Sequence, residues 1–419
     1  MFEWSETDLL VRDAVRDFVD REIRPHVDEL EHGGLPPYDL LRKLFASFGI
    51  DALATDSLTK HLAKLEAREA GEAAGSGAST RERGGVGLMG APGQESLGVI
   101  LCAELCAVSM GMFAAMGVSV GLGAATIMAR GTLAQQRRWL PPLVTMEKVA
   151  AWALTEPDSG SDAFGGMRTT VRRDGDEYLL NGQKTFITNG PYADTTVVYA
   201  KLDDGSGVSI RDRPVLLFVL DKGMPGFVQS TPMRKMGLHS SPTGELFFDN
   251  VRLGRDRLLG ETEQHRGGDG RDSARAGFVT ERVGVAAMAL GVITECLRLC
   301  VDYAKTRVLW GRPIAEFQLI QLKLAKMEVA RLNVRNMVFS TIEAARAGRL
   351  PTLAEASAIK WYSSEAATDV AMDAVQLFGG NGYMAEYRVE QLARDAKSLM
   401  IYAGSNEVQI TQTAKGLLG

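Results

Sequence analysis

Residues 152–166 read WALTEPDSGSDAFGG, and their reading decides the fold. The stretch is apolar at Trp152, Ala153 and Leu154, then turns into Thr155, Glu156, Pro157, Asp158, Ser159 and Gly160. It follows Trp139-Leu140-Pro141-Pro142, where a helical pattern is expected to stop. A strand that opens into small hydroxyl and glycine residues sets backbone N–H groups and hydroxyls against a ligand. Such a loop suits a polar, planar or phosphorylated cofactor. On residue types alone, a strand followed by an Asp-Ser-Gly turn is the simpler account.

Outward from this stretch the chain changes period twice. Upstream, Leu9, Leu10, Ala14, Val15, Phe18, Val19 and Ile23 recur at helical spacing. Pro25 and the cluster at 33–37 end that helix, and residues 38–48 read as the next. Residues 97–130 are apolar and rich in Ala, Gly and Met. Met110, Met112, Met116, Gly117, Gly121 and Gly123 suit either tight helix packing or a cavity wall. Downstream, residues 195–200, 215–220 and 245–251 read as β-runs. Asp174-Gly175, Asn181-Gly182 and Asn189-Gly190 read as hairpin turns between them. Residues 264–276 read as a polar Gly-rich loop. Helical patterns follow at 278–307, 320–348, 351–378 and 389–397. The expectation is an α+β chain. It has an N-terminal helical domain (1–149), a central antiparallel β domain (150–263) and a C-terminal helical bundle (264–419).

Residues 55–93 interrupt the first domain. Residues 58–73 read as a polar helix, and GSGASTRERGG reads as a flexible loop, with residues 78–83 expected to be mobile or ordered only by contacts at a subunit surface. Gly85, Gly87 and Gly90 fit the dinucleotide pattern G-x-G-x-x-G. That motif needs a strand before it and a helix directly after it; a Ser/Gly/Arg loop and Ala91-Pro92-Gly93 stand there instead.

The 419 residues suffice for a large core, and the net charge of −5 argues against a nucleic-acid surface. No apolar run reaches the ~20 residues of a membrane span. The acidic N-terminus MFEWSETDLL is unlike a secretory or transit peptide, so a bacterial-type cytoplasmic protein is expected. Cys102 with Cys106 and Cys296 with Cys300 have helical spacing and read as core thiols rather than metal ligands.

Residues 153–165 resemble the first signature of the acyl-CoA dehydrogenase family. Gln376-Leu-Phe-Gly379-Gly380-Asn381-Gly382-Tyr383, with Glu386 and Asp395, resembles its C-terminal signature. It departs at Gln391, where Lys or Arg is usual. The resemblance covers nearly the whole chain except residues 55–93 and 264–276. It implies an acyl-CoA dehydrogenase-like architecture and an FAD-dependent α,β-dehydrogenation of an acyl-CoA, as in fatty-acid β-oxidation. An electron-transfer flavoprotein or similar acceptor and a homotetramer built as a dimer of dimers are implied with it. An acyl-CoA oxidase-like flavoenzyme and a non-catalytic acyl-CoA-binding paralogue are the alternatives.

Residue by residue, the resemblance puts flavin contacts at Trp152, Leu154, Thr155, Ser161, Phe186 and Thr188. Contacts to a neighbouring subunit's FAD fall at Arg307, Trp310, Gln318, Gln376, Gly379 and Gly380, and further cofactor contacts at Ser405 and Glu407. Ser161, Arg282, Tyr402 and Gly404 match substrate-contacting positions. Phe186 alone would read as sheet core. Many members carry the catalytic Glu where this chain has Ala403. Some place it on an earlier helix instead, as in isovaleryl-CoA and long-chain dehydrogenases, and the matching residue is Glu281. Helical spacing sets Gly277, Gly284, Val285 and Met288 near its face, a small and apolar setting that should raise its pKa.

Overall fold

The computed structural model describes residues 4–32, 34–71, 95–265, 268–349 and 351–419. The N-terminal part is helical: α1 (Glu6–Phe18), α2 (Val27–Glu31), α3 (Tyr38–Ser47), α4 (Ile50–Glu69), α5 (Glu95–Cys106), α6 (Met110–Met116), α7 (Ala125–Arg130) and α8 (Leu133–Val144). Ser5 opens α1 and Thr132 opens α8 with reciprocal capping boxes, so both starts are written in the sequence. Helix α8 runs on through Pro141 and Pro142, where the pattern was expected to stop. Its face of Trp139, Leu140, Leu143 and Val144 is buried, and that packing outweighs two missing N–H donors.

Seven strands follow in one sheet: β1 (Ala150–Ala153), β2 (Thr170–Asp174), β3 (Glu177–Thr188), β4 (Thr195–Asp203), β5 (Val215–Asp221), β6 (Phe227–Gln229) and β7 (Thr243–Leu253). Most pairings are antiparallel, but β1 and β2 both run parallel to β4. They meet it at successive positions along one edge, while β5 takes the other. Of the three expected hairpin turns only Asp174-Gly175 joins paired neighbours, β2 and β3. Gly182 sits at a register shift inside β3. Asn189 is a junction: its Nδ2 donates to the carbonyls of Ala115 and Ala150 at 2.9 Å each, and its Oδ1 accepts from the Tyr38 hydroxyl at 3.0 Å.

The chain returns to helix with α9 (Gly270–Thr306), α10 (Gln318–Arg346), α11 (Leu353–Phe378), α12 (Val389–Ser398) and α13 (Asn406–Leu418). Between α9 and α10 lies a small hairpin of β8 (Val308–Leu309) and β9 (Arg312–Pro313). The expected polar loop over 264–276 is shorter than its composition suggested, because the Asp269 side chain accepts from Arg271 N at 2.8 Å and caps α9 early. Residues 266–267 lie outside the described residues. Helix α13 was not expected at all.

Helix α4 packs on α8 through buried Leu58, and His61 meets Gln136 at 2.9 Å. The first half of the expected insertion is thus part of the packed fold. Residues 78–83, Gly84 and the Gly85–Gly87–Gly90 pattern lie outside the described residues. Gly123 is packed, since a Cβ there would lie 2.6 Å from Ala150 Cβ, whereas Gly117 and Gly121 face open space.

N- and C-terminal helices share one core, and each face of the sheet carries another. All four cysteines are free and buried, Cys102 and Cys106 on α5 and Cys296 and Cys300 on α9. Met110–Arg130 and Gly270–Thr306 are long and apolar enough to cross a bilayer by length and composition, contrary to the expectation that no such run exists. More than half of each apolar window is buried inside the molecule, as in core helices.

Helices α5 and α9 approach closely at Gly291, where a Cβ would sit 2.3 Å from the Ala103 carbonyl oxygen and 3.0 Å from Cys106 Cβ. Gly291→Ala should therefore destabilise the protein by about 1–3 kcal/mol despite a better helix propensity. Thermal melting checks this against Gly284→Ala, whose Cβ meets nothing within 4 Å and which should not melt lower.

Candidate functional site

The loop after β1 is folded back onto β3 by a buried ion pair. Lys184 Nζ donates to Glu156 Oε1 at 2.8 Å and to the Leu154 carbonyl at 3.0 Å. The Glu156 carboxylate also accepts from Arg168 N at 2.5 Å and from Thr169 N at 3.0 Å. Burial opposes ionisation of Glu156, but Lys184 and these N–H groups outweigh it and hold its carboxyl below the usual range. Burial pushes Lys184 down to about 8, against the pull of Glu156. Neither residue was singled out in the sequence. The readable signal was a lysine in the middle of a strand next to an apolar run.

This pair sets Thr155 beside Phe186: Thr185 N donates to the Thr155 carbonyl at 2.9 Å. Phe186 is not sheet core. It is 63% exposed and has φ +57°, at a register shift where β3 leaves its ladder with β7. An exposed aromatic on a left-handed backbone presents its ring to something outside the fold. Thr188 is half-buried two residues on, and Ser161 is exposed in the loop. Trp152 and Leu154 point the other way. Trp152 packs on Tyr199 with ring centroids 5.0 Å apart, and Leu154 is buried, so both side chains serve the packing. Hydroxyls at 155 and 188 near the open Phe186 ring, with Ser161 exposed in the adjoining loop, suit a planar, polar ring system such as a flavin.

A second group is built from α9, α11 and the turn before α13. Glu281 is half-buried and, among the described residues, makes no hydrogen bond or ion pair. Burial pushes its carboxyl up to about 7, and Arg282 and Lys360 pull the other way without offsetting it. Arg282 is turned aside. Its Nη1 donates to Ser357 Oγ at 2.9 Å and its guanidinium lies 5.4 Å from the Phe278 ring centre. Lys360 Nζ donates to the Gly404 carbonyl at 2.8 Å and to Asn406 Oδ1 at 2.9 Å. Burial, and then Arg282, push Lys360 down to about 8. Gln409 Nε2 donates to the carbonyls of Ala403 and Gly404, at 3.0 and 2.8 Å. The turn is thereby locked with Ala403 and Gly404 at positive φ.

Ser405 precedes α13 without a side-chain capping bond, and Glu407 lies in its first turn. Backbone N–H bonding, then Ser405, hold the Glu407 carboxyl below its usual range. The Tyr402 hydroxyl donates to Met288 Sδ at 3.5 Å. Lys360, Asn406 and Gln409 were missed in the sequence. Lys360 is a charged residue amid the small residues of α11, and that was the available signal.

The two groups are neighbours. Phe278 of α9 packs on the same cluster as Trp152 and Leu154. The third set lies apart. Trp310 is 87% exposed at the tip of the β8–β9 hairpin, with φ +50°. Arg307, Gln318, Gln376, Gly379 and Gly380 are exposed as well. The Arg307 guanidinium carries no hydrogen bond or ion pair among the described residues, and no hydrogen bond among them joins this set to Thr155, Phe186 or Glu281. Tyr303 stacks on Phe378 at 4.0 Å and takes a bond from Asn381 at 3.0 Å, which fixes the glycine turn.

The family models for the acyl-CoA dehydrogenase N-terminal, middle and C-terminal domains match residues 49–147, 151–251 and 268–418. An acyl-CoA dehydrogenase of Bacillus subtilis (strain 168) is 35% identical over 424 residues, covering 99% of each chain. The structure of butyryl-CoA dehydrogenase from Megasphaera elsdenii matches all of both chains with a TM-score of 0.80 and 33% identity. A glutaryl-CoA dehydrogenase from Mycobacterium smegmatis in complex with FADH2 matches with a TM-score of 0.81 and 26% identity, over 99% of this chain and 95% of its own. A helical–β–helical chain with an unpaired carboxylate on α9 and an open aromatic on β3 thus belongs to the acyl-CoA dehydrogenase family.

Proposed function

We propose that this protein is an FAD-dependent acyl-CoA dehydrogenase that converts an acyl-CoA thioester to the trans-2-enoyl-CoA, with Glu281 as base. The observation that carries this reading is the unpaired Glu281 carboxylate, pushed up to about 7, on the helix that faces the Ala403 turn. Glu281 takes the Cα proton. FAD, when bound, accepts the Cβ hydrogen as hydride. A base with a pKa near neutrality takes a proton from a weak carbon acid and still ionises under working conditions.

The thioester carbonyl must be hydrogen-bonded as charge develops on it. The Ala403 N–H has no acceptor among the described residues and is free to serve. Thr155, Ser161, Phe186 and Thr188 would hold the flavin ring. Arg307, Trp310, Gln318 and the 376–380 turn would hold the phosphates of an FAD bound mainly by a second subunit, within a homotetramer. The free guanidinium of Arg307 and the exposed Trp310 support that split. Electrons would leave to an electron-transfer flavoprotein, in a bacterial-type cytoplasm.

Glu281→Gln keeps the shape and removes basicity, so it should bind FAD and acyl-CoA yet slow anaerobic flavin bleaching by about 10²–10⁴-fold. Native bleaching should rise with pH and level off above about 7, because only ionised Glu281 accepts the proton. The stability sign is opposite. A carboxyl whose folded pKa is raised stabilises the fold fully below about 4.5 and loses that contribution as pH rises through about 7. Glu281→Gln should accordingly melt higher than native at pH 8 but not at pH 4. Near-native bleaching by the variant would remove Glu281 from the reaction.

Arg307→Ala should weaken FAD retention about ten- to a hundredfold, the size of a lost charge-assisted pair, and leave apo-protein melting unchanged. Flavin content after gel filtration reports the first, and sedimentation velocity the assembly. A monomer that keeps its full flavin contradicts the shared site.

A further inference from the structure

Loop 230–242, between β6 and β7, leaves the sheet and is clamped by α2 and α12. Gly237 shows how tightly: a Cβ there would lie 2.7 Å from the Asp395 carboxylate and from the Arg394 main chain. Leu238 N donates to Asp395 Oδ1 at 2.6 Å. The next residue reaches the other way. His239 Nδ1 lies 2.8 Å from the Glu31 carbonyl oxygen, and its Nε2 lies 2.8 Å from the Lys235 carbonyl oxygen. A carbonyl oxygen only accepts, and a neutral imidazole has one N–H, so only the doubly protonated ring satisfies both contacts.

Two carboxyls border this contact, Glu31 at 7% and Asp395 at 1% exposure. Neither Glu31 oxygen has a hydrogen bond among the described residues. His239 Nδ1 and Arg394 Nη1 approach its Oε2 only to 3.4 and 3.6 Å. The cations around the pair are held elsewhere. Arg394 grips Glu390 and donates to the Met236 carbonyl at 3.0 Å. Lys235 donates to the Ser241 carbonyl and to Thr243 Oγ1, and Arg388 to the carbonyls of Ala107 and Val108. The His32 ring lies 6.3 Å from that of His239, and Cys106 is in range of Asp395 with its thiol kept protonated by burial. Gln391, where the family signature usually has Lys or Arg, offers Asp395 Oδ2 only an amide at 3.4 Å. Burial, then Asp395, push the Glu31 carboxyl up to about 7, and burial raises Asp395 as well.

We propose that His239, Glu31 and Asp395 form a proton-operated latch: while the ring is doubly protonated and the carboxyl pair holds a proton, loop 230–242 is clamped to α2 and α12, and loss of those protons releases it. An ionised Glu31 would sit buried without a hydrogen bond, and a neutral His239 would set a lone pair against a carbonyl oxygen. Both disfavour the closed loop as pH rises. A carboxyl whose folded pKa is raised stabilises the closed state fully below about 4.5 and loses that contribution as pH rises through about 7. The loop leads to the cofactor side. Its last residue, Pro242, accepts from Asn189 N at 2.7 Å, and Asn189 follows Thr188, so release of the loop loosens the flavin turn. That last step rests on the flavin reading of Thr188; the response of the loop does not.

Hydrogen exchange of the FAD-loaded protein tests this, read by mass spectrometry on peptides spanning 235–242 and corrected for the intrinsic rate at each pH. Protection should fall about ten- to a hundredfold between about pH 5.5 and 8.5, while peptides from β4 keep theirs. FAD should leave faster by a similar factor. Glu281→Gln should leave the step in place, because Glu281 stands on α9 outside this cluster. Glu31→Gln should shrink the step, and Glu31→Gln combined with His239→Gln should remove it. Gln391→Lys gives Asp395 a cation and should shrink the step with Glu31 and His239 intact; it decides the matter if the double variant does not fold. Equal protection of the native loop at both pH values, or a full step in the double variant or in Gln391→Lys, overturns the latch. A full step in loop exchange with unchanged FAD release supports the latch and overturns its link to Thr188.

Discussion

The proposed active region depends on withdrawing a carboxylate from water without giving it a cation. Two cations are close enough to Glu281 to act on its titration, and both are engaged elsewhere. Arg282 is spent on Ser357 and the Phe278 ring. Lys360 is spent on the Gly404 carbonyl and Asn406, and Asn406 also takes a bond from Ser364. Were either cation turned to Glu281, its pKa would fall and its basicity with it. The turn at 403–406 is therefore more than a connection to α13, because its Gly404 carbonyl and Asn406 side chain occupy the lysine that would otherwise be free to pair with Glu281, the proposed base.

Glu156 supplies the contrast. Glu156 is buried and Glu281 half-buried, and burial is the largest single influence on each. Glu156 receives a lysine and two backbone N–H groups and stays ionised; Glu281 receives none and titrates near neutrality. The chain spends the first arrangement on shape, fastening the 152–166 loop to β3. Removing one partner of such a pair leaves the other charge buried alone, which costs several kcal/mol, so the loop is held firmly. The second arrangement leaves a carboxyl raised to about 7, the state the proposed base needs. Burial thus has two outcomes, and the partner decides which.

Period and motif carried much of this in the sequence. The helical–β–helical order followed from where apolar spacing changes. Glu281 could be singled out as a candidate base because Ala403 lacks a carboxylate and the residues one and two turns from Glu281 are small or apolar. What was not legible depends on distant partners. Asn189-Gly190 has the composition of a hairpin turn, yet Asn189 is held by Tyr38, Ala115 and Ala150, far away in sequence. Pro141 and Pro142 signal a helix end, but the buried face of α8 overrides them. The parallel pairing of β1 and β2 with β4 is set by topology, which strand propensity does not encode. Lys360 looked like one polar position in a helix until the 403–406 turn was folded against it.

Backbone strain occurs at some of these places and at others. Among the described residues, Met146, Phe186, Asn189, Leu238, Asn250, Glu261, Trp310 and Ala403 adopt positive φ without being glycine. Such a conformation costs roughly 1–2 kcal/mol for a residue with a Cβ. It persists only where surrounding contacts over-determine it. At Ala403 those contacts are Gln409 and the neighbouring Lys360 bond. At Phe186 they are the Thr155–Thr185 link and the buried Glu156–Lys184 pair two strand residues away. At Asn189 they are the three-way junction to α3, α6 and β1. Trp310 rests on the tight β8–β9 turn and the edge of Phe317. Glycine would remove the strain at each of these positions. A side chain is kept at Phe186 and Trp310 because the ring is what the position presents, and the strained backbone is what turns it outward. At Ala403 the side chain is a single methyl, which satisfies the turn while leaving the approach to Glu281 clear.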